Sequence, residues 1–549
     1  MLTNTVTRAR DDVDNVSISS TASASDRIFE GFLYEEPSME VFIGCCASAL
    51  DNNKPPESMR PDQAQRVCAS WNSRNDFIHV TSIARPFRIY FDEIIAVKKI
   101  GSANLPKMVE NHEESLFHRR PKVLVLVNPF SGQKRAMELW NEQTRPIFEE
   151  AGIPYQLITT TKRGDATQVA RHVDLDEFGA LVVVSGDGLV AEVILGLLTR
   201  RADRDRALRL PILHVPGGTG NGLAASVTFQ CNEPFATRGV FCREMALMLA
   251  GGRPRFRPLR LYHVELPDRV HMPMFMSMTW GLVADIDLAS ERFRWAGMIR
   301  YHVEAFLRIA RLPSVACYRG RISYLPVQNR RLLLKTRLKA SEARRRFGAA
   351  HFDGDDVALY DPTPAERRLR ALVHDAVERG ELDATASIED AFAGQNVTEA
   401  PPLSAPVPSD WITIDGEFVF VSLTAISHLG SDLPYLPAAR LDEEVFYLTF
   451  VDWRTVKSRF HIAHLLITID RGTHLDHPCF QTIPVLACRV EPAPGAGGHV
   501  ALDGEPCELG SAFQVVSTQL RATVVARQPR ESAELTRQKA SNSRRQTNS

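Results

Sequence analysis

Between Leu181 and Leu198 an apolar run breaks on four residues, Ser185-Gly186-Asp187-Gly188, before a second apolar pattern begins. A carboxylate between two glycines at the end of a hydrophobic strand is poorly explained by packing, because an unpaired buried carboxylate is costly. At a ligand-binding edge the same group can face a substrate hydroxyl. There it accepts a proton as the oxygen attacks phosphorus, or holds that hydroxyl in line. A turn-capping aspartate is the structural alternative, and for an isolated Gly-Asp-Gly it is the simpler one. Two further turns shift the balance. Asn128-Pro129-Phe130-Ser131-Gly132, followed by Lys134 and Arg135, lets backbone N–H groups approach an anion at the start of a helix. Pro216-Gly217-Gly218-Thr219-Gly220-Asn221-Gly222 carries four glycines after its proline, a density that brings a backbone close to something. Neither a dinucleotide fingerprint nor a Walker-type phosphate loop fits these strings.

The elements that must hold these turns are readable from periodicity. VLVLVNPFSG, PYQLITT, ALVVVSGDG and LPILHVPGG are strand-like, and helical patterns follow each of them. Such alternation implies βα units around a parallel sheet, with ligands outside the carboxyl ends of the strands. All three glycine turns fall at that edge. From about 259 onward the pattern is dominated by strands, interrupted by the helical RWAGMIRYHVEAFLRIARL. The expected fold class is therefore α/β plus all-β: a Rossmann-like parallel nucleotide domain over 121–258, then an antiparallel β-sandwich over 259–326 and 411–526. Around these lie a polar, serine-rich stretch expected to be a disordered tail (1–30), a small β-rich region that could be pleckstrin-homology-like (31–120), a polar insert with basic runs (327–410) and a polar stretch again expected to be a disordered tail (527–549).

Length and composition bound the function. A chain of 549 residues with 44% hydrophobic and 24% charged residues holds two or three globular domains. A formal net charge of −1 argues against nucleic acid as a partner. Nine irregularly spaced cysteines without a CxxC pair fit a reduced, cytoplasmic protein better than a disulfide framework. No apolar run is long enough to span a bilayer, so a membrane-derived substrate would be reached by peripheral contact. The sequence leaves room for a homodimer without requiring one.

Taken together, Asn128-Pro129-x-Ser131-Gly132, Ser185-Gly186-Asp187-Gly188 with Glu192, and Pro216 to Asn221 resemble the diacylglycerol-kinase-type catalytic domain of lipid kinases. Four more stretches narrow the resemblance to sphingosine kinases: Thr279 to Tyr301, Tyr318 to Val327, Ser427 to Pro434 and Val500 to Glu505. The resemblance implies transfer of the γ-phosphate of ATP, with Mg2+, to the primary hydroxyl of a long-chain base such as sphingosine. Asp187 is then the catalytic base. Asn128, Ser131, Gly132, Thr160, Ser185, Gly186, Gly188, Glu192, the turn Gly217, Gly218, Thr219, Gly220 and Asn221, and Gly504 and Glu505 border ATP. Asp503 stands at the magnesium position, and Arg294 and Arg300 match phosphate-binding arginines. Asp287 matches the acid that recognises the lipid's amino group.

The residues themselves leave rivals open. If 281–287 is extended, Asp285 and Asp287 share one strand face. Arg294 and Arg300 are six apart, and reach one triphosphate only if the segment bends. Leu433 and Phe306 are candidates for lining a tunnel for the hydrocarbon chain, although core packing is the default for such residues. A ceramide or diacylglycerol kinase, or a catalytically idle lipid-binding scaffold, are the competing functions. An NAD kinase fails to explain the second-domain stretches.

Overall fold

In the computed structural model, side chains are described for residues 121–329 and 385–527, apart from 133, 232–240, 252–253, 294–299, 311–317, 328, 432 and 470–471; before 121 only backbone strands are described. The chain divides into two compact units. One gathers Met1–Lys122, Asn141–Pro154 and Arg243–Arg255, and the other Val123–Trp140, Tyr155–Cys242 and Phe256–Ser549. Within the first, Val41–Cys45, Asp26–Glu35, Ala64–Asn72, Phe77–Ser82 and Phe87–Tyr90 form a five-stranded sheet in that order. The expectation of a disordered tail over 1–30 is corrected in part: Leu2–Val6 is a strand paired in parallel with Ile94–Lys99, and the strand Asp26–Glu35 begins inside that stretch.

The second unit carries the glycine turns. Its first strands are β1 (Lys122–Val127), β2 (Tyr155–Thr159), β3 (Phe178–Ser185) and β4 (Ile212–Pro216). β1, β3 and β4 are almost wholly buried and rich in Val, Leu and Ile, the composition of strands covered on both faces. The parallel order is β2-β1-β3-β4. Chain order therefore reverses between β1 and β3, the switch point at which open α/β sheets bind ligands. Pairing of Ser185 with Pro216 and of Val127 with Thr159 brings the strand ends to a common edge.

The antiparallel part begins with β5 (Arg255–Leu266), β6 (Val270–Met274), β7 (Ser277–Gly281) and β8 (Tyr318–Pro326). It continues through β9 (Ile412–Thr424), β10 (Phe446–Asp452), β11 (Phe480–Pro492), β12 (Val500–Leu502), β13 (Glu505–Pro506) and β14 (Phe513–Ala526). The parallel α/β portion and the antiparallel, strand-rich portion are those expected. Hydrogen bonding joins them into one mixed sheet of fourteen strands, because the last strand, β14, runs parallel to β4 at Ile212–Val524 and antiparallel to β11 at Ala487–Val516. The antiparallel core centres on Trp280, with Tyr318 and Phe418 set edgewise at 5.9 and 6.5 Å.

Three helices start at the ligand edge or face it: α1 (Asp165–His172), α2 (Asp187–Leu198) and α3 (Gly222–Gln230). Two more, α4 (Leu282–Ser290) and α5 (Ile299–Arg311), follow β7, and α6 (Arg459–Ile467) lies later. The extended reading of 281–287 is corrected here. Gly281 at φ +92° turns the chain out of β7, and Leu282 onward coils. Residues two apart on a helix point about 200° apart, so Asp285 and Asp287 face different neighbours. Of the insert, the part from 385 is described. Ser387 caps the helix Ile388–Phe392, and isolated bridges join Arg200 to Thr385 and Asn396 to Thr518.

Candidate active site

The three glycine turns are locked against one another by backbone contact. A Cβ on Gly132 would stand 2.6 Å from the carbonyl oxygen of Gly217, and one on Gly218 would stand 2.4 Å from the Cα of Gly186. Gly132 also sits at φ +57°, a region that side chains disfavour. Ser131 Oγ accepts the Gly186 N–H at 3.0 Å, and Asn128 Oδ1 accepts the Phe130 N–H at 3.0 Å. Asn221, itself at φ +60°, folds its amide back on the turn: Oδ1 accepts from Gly218 N at 2.9 Å and Nδ2 donates to Gly218 O at 3.0 Å. Glycine density here serves the close approach of turn to turn as well as any approach to a ligand.

Asp187 is the first residue of α2 and its carboxylate is aimed at the start of α3. Oδ2 accepts the Gly222 N–H at 2.8 Å and Oδ1 the Leu223 N–H at 3.0 Å. A helix N-terminus offers N–H groups without intrahelical partners, so this carboxylate is held in one orientation by donors that fit its charge. The group lines a cavity of about 460 Å³, in the range of small-molecule sites.

The opposite wall is helical and made of side chains. Asp287 lines the cavity with Glu291, Arg300 and Tyr301. Burial pushes the Asp287 carboxyl up to about 6, against the opposing pull of Arg300 and with a smaller push from Glu291. Arg300 is buried, pairs with Glu291, donates to Tyr301 Oη at 2.7 Å and lies over the Tyr301 ring at 4.6 Å. A 3-10 turn over Glu291–Ala296, kinked at Phe293, precedes α5. The side chain of Arg294 lies outside the described residues. Asp285 faces away from the cavity. Its Oδ1 accepts from the backbone and ring of His499 at 2.8 and 2.7 Å, and its Oδ2 from Arg308 at 2.8 Å and Tyr318 at 2.7 Å. It ties α4 to α5, β8 and the approach to β12.

Asp503, at φ +49° in the β12–β13 turn, is fully enclosed. Oδ1 accepts from Met276 N at 2.9 Å and Ser277 N at 2.8 Å, and Oδ2 from Phe275 N at 3.2 Å. Burial pushes its carboxyl up to about 7, outweighing those three donors, and the charge of Asp187 adds to the push. These bonds anchor the turn to the segment that enters β7. Among the described residues no three His, Cys, Asp or Glu side chains converge as a metal site. A magnesium ion needs only one or two carboxylates beside the substrate phosphates; Asp503 and Glu505 line the cavity and would hold one, and no step is routed through it.

Most of the expected residues meet in this cavity: Asn128, Ser131, Gly132, Thr160, Ser185 to Gly188, Glu192, Gly218 to Gly220, Asp287, Arg300 and Asp503 to Glu505 all line it. Gly217 and Asn221 lie behind the lining and shape it. Leu433 packs against the antiparallel core and is not in the lining. Phe306 is 72% exposed on α5 and lines no part of the cavity; its place on the outer face of an amphipathic helix was hidden by reading residues singly. Sequence reasoning missed Lys162 and Arg163 on the loop after β2, where Arg163 reaches Glu505 at 3.3 Å. The signal was present in TTKRGD, a basic loop at the carboxyl end of a parallel strand. Glu291 and Tyr301 were also missed, since only the fold turns them inward.

Residues 122–246 match the diacylglycerol kinase catalytic domain, and with the acid and glycine turns of this edge they define an ATP-dependent lipid kinase. The chain is 32% identical over 387 residues to sphingosine kinase 1 of Homo sapiens, covering 70% of this chain and 85% of the human protein. It is 29% identical over 417 residues to sphingosine kinase 1 of Caenorhabditis elegans, covering 74% and 81%. The chain belongs to the sphingosine kinase family.

Proposed function

We propose that the protein transfers the γ-phosphate of ATP to the primary hydroxyl of sphingosine and related long-chain bases, giving the 1-phosphate. The observation that carries this reading is one cavity in which an oriented carboxylate, Asp187, shares space with phosphate-sized glycine turns and a second acid, Asp287. ATP lies along the turns, where backbone N–H groups and the start of α2 favour phosphate oxygens. Asp187 takes the hydroxyl proton, or holds the hydroxyl in line, as the oxygen meets phosphorus. Asp287 pairs with the protonated amine, which diacylglycerol and ceramide lack. Arg300 presents donors to phosphate while Glu291 holds its guanidinium in place.

Among the described residues no helix is long and apolar enough to cross a membrane. The lipid is reached by peripheral contact through the exposed apolar face formed by Val303 and Phe306 on α5 and Phe460 and Ile467 on α6. The two helices are joined where Arg459 donates to the Ala310 carbonyl at 2.9 Å.

The test is phosphate transfer from labelled ATP by purified protein, with sphingosine, ceramide and diacylglycerol offered in identical micelles. Label entering only the long-chain base is expected. Equal labelling of a neutral lipid would remove the role given to Asp287, and no labelling at all would leave a lipid-binding scaffold.

A further inference from the structure

His214 sits in the middle of β4, a strand whose other residues are Ile, Leu, Val and Pro. A side chain there is buried on all sides, and an aliphatic residue would pack without polar cost. The imidazole is 1% exposed. Its Nε2 lies 2.9 Å from the carbonyl oxygen of Ser185, which can only accept, so Nε2 carries the hydrogen. In the neutral ring that leaves Nδ1 as a bare lone pair, and Nδ1 has no hydrogen-bond partner. The polar atom it faces is Asp187 Oδ1 at 3.7 Å, too far for a hydrogen bond and across which two lone pairs repel. A buried polar atom left without a partner costs about 1–3 kcal/mol. The sequence keeps this cost directly behind the carboxylate assigned as the base.

We infer that His214 is a positioning residue for Asp187, supplying the acceptor that receives the proton Asp187 draws from the lipid hydroxyl. The inference rests on the reading of Asp187 as that base. In the step, the lipid oxygen forms its bond to the γ-phosphorus as the bond from that phosphorus to the ADP oxygen breaks. The hydroxyl proton passes to the Asp187 carboxylate and is then shared with, or passed to, His214 Nδ1. ADP departs, and the proton later returns to solvent. The repulsion across 3.7 Å becomes an O–H···N contact only while the proton is held, so the pair stabilises the proton-bearing state selectively. Charged groups near the pair are Glu192 one turn along α2, and Asp503 and Glu505 from the β12–β13 turn, with Arg163 on Glu505; α3 carries no charged residue. None of the three carboxyl groups supplies Nδ1 with another partner.

The test measures kcat, and KM for ATP and for sphingosine, from pH 5 to 9 on the full chain. His214→Leu, His214→Asn and Asp187→Asn are compared with the unaltered protein. His214→Leu is expected to lose at least tenfold in kcat with both KM values within twofold. His214→Asn offers an amide acceptor in place of the imidazole and recovers part of the rate, with both KM values still within twofold. It also serves as the folding control should the leucine variant not fold. A leucine variant that folds with kcat within twofold, or an asparagine variant that recovers none of the lost rate, overturns the inference. If Asp187→Asn is inactive in that same experiment, the base reading survives and only the role of His214 falls. If Asp187→Asn turns over normally, both fall.

Discussion

Along the parallel edge, the groups that shape the cavity are largely backbone: the turns at Gly132, Gly186 and Gly218 touch one another, and N–H groups of α3 grip Asp187. Across from it, on α4 and the start of α5, the groups are side chains: Asp287, Glu291, Arg300 and Tyr301. The backbone edge works by exclusion, since a Cβ added at Gly132 or Gly218 collides with a neighbouring main chain. The helical wall works by charge, and its members can be exchanged without moving the chain. One region should therefore fail in geometry when altered and the other in recognition.

The largest expected effect tests the edge at its one chemical group. Asp187→Asn should lower kcat by about 10²–10⁴, the usual cost of losing a general base. One of its two N–H contacts would then face an amide N–H, a loss of about 1 kcal/mol, so folding and ATP binding persist. Single-turnover rates with a melting curve check both. Gly218→Ala comes next. Its Cβ would stand 2.4 Å from the Cα and 2.9 Å from the nitrogen of Gly186, and neither atom can rotate away. Overpacking of this kind costs about 1–3 kcal/mol, and the displaced Gly186 turn should weaken ATP binding with it. By contrast, Gly188→Ala meets the tip of the flexible Glu505 side chain at 2.5 Å, and should keep its stability. Equal losses in the two variants would contradict a backbone-locked edge.

The edge was legible in sequence for a physical reason. Buried parallel strands are unbroken apolar runs, and turns that must interlock are glycine, so both leave local marks at 122–127, 181–188 and 212–222. The helical wall leaves weaker marks. Leu282-Val283-Ala284-Asp285-Ile286-Asp287 alternates well enough to pass for a strand, and only the left-handed Gly281 decides otherwise. Asp503 shows the limit of motif reading. Its Asp-Gly-Glu string gave no sign that its oxygens hold three N–H groups of residues more than two hundred positions away. The bridging of the two sheet portions by β14 is a long-range pairing that no local pattern encodes.

A sharper contrast lies within α4, where two acids two residues apart have opposite duties. Asp285→Ala removes a buried carboxylate from Arg308, Tyr318 and His499 at once. Breaking such a buried pair typically costs about 3–5 kcal/mol, so its melting temperature should fall clearly. Asp287→Ala should change stability little. Losing a charged hydrogen bond of about 1.5–3 kcal/mol should raise KM for sphingosine roughly 10- to 150-fold with KM for ATP nearly unchanged. If the two variants exchange phenotypes, the assignment of faces on this helix is wrong.

The smallest effect comes from the proton on Asp287. Its carboxyl is raised from an ordinary 3.8 to about 6, chiefly by burial. For an acid raised in this way, the folded state binds the proton more tightly than the unfolded chain does. The stability it contributes is present in full below 3.8 and is lost as pH rises through about 6. Binding of an ammonium group runs the other way, because only the ionised carboxylate attracts it. KM for sphingosine should therefore be flat above pH 7 and rise by about tenfold per pH unit below 6. KM for ATP should not follow it, and in Asp287→Asn the sphingosine dependence should vanish. A sphingosine KM that stays level down to pH 5 would mean that the amine is met elsewhere, and that the helical wall recognises something other than charge.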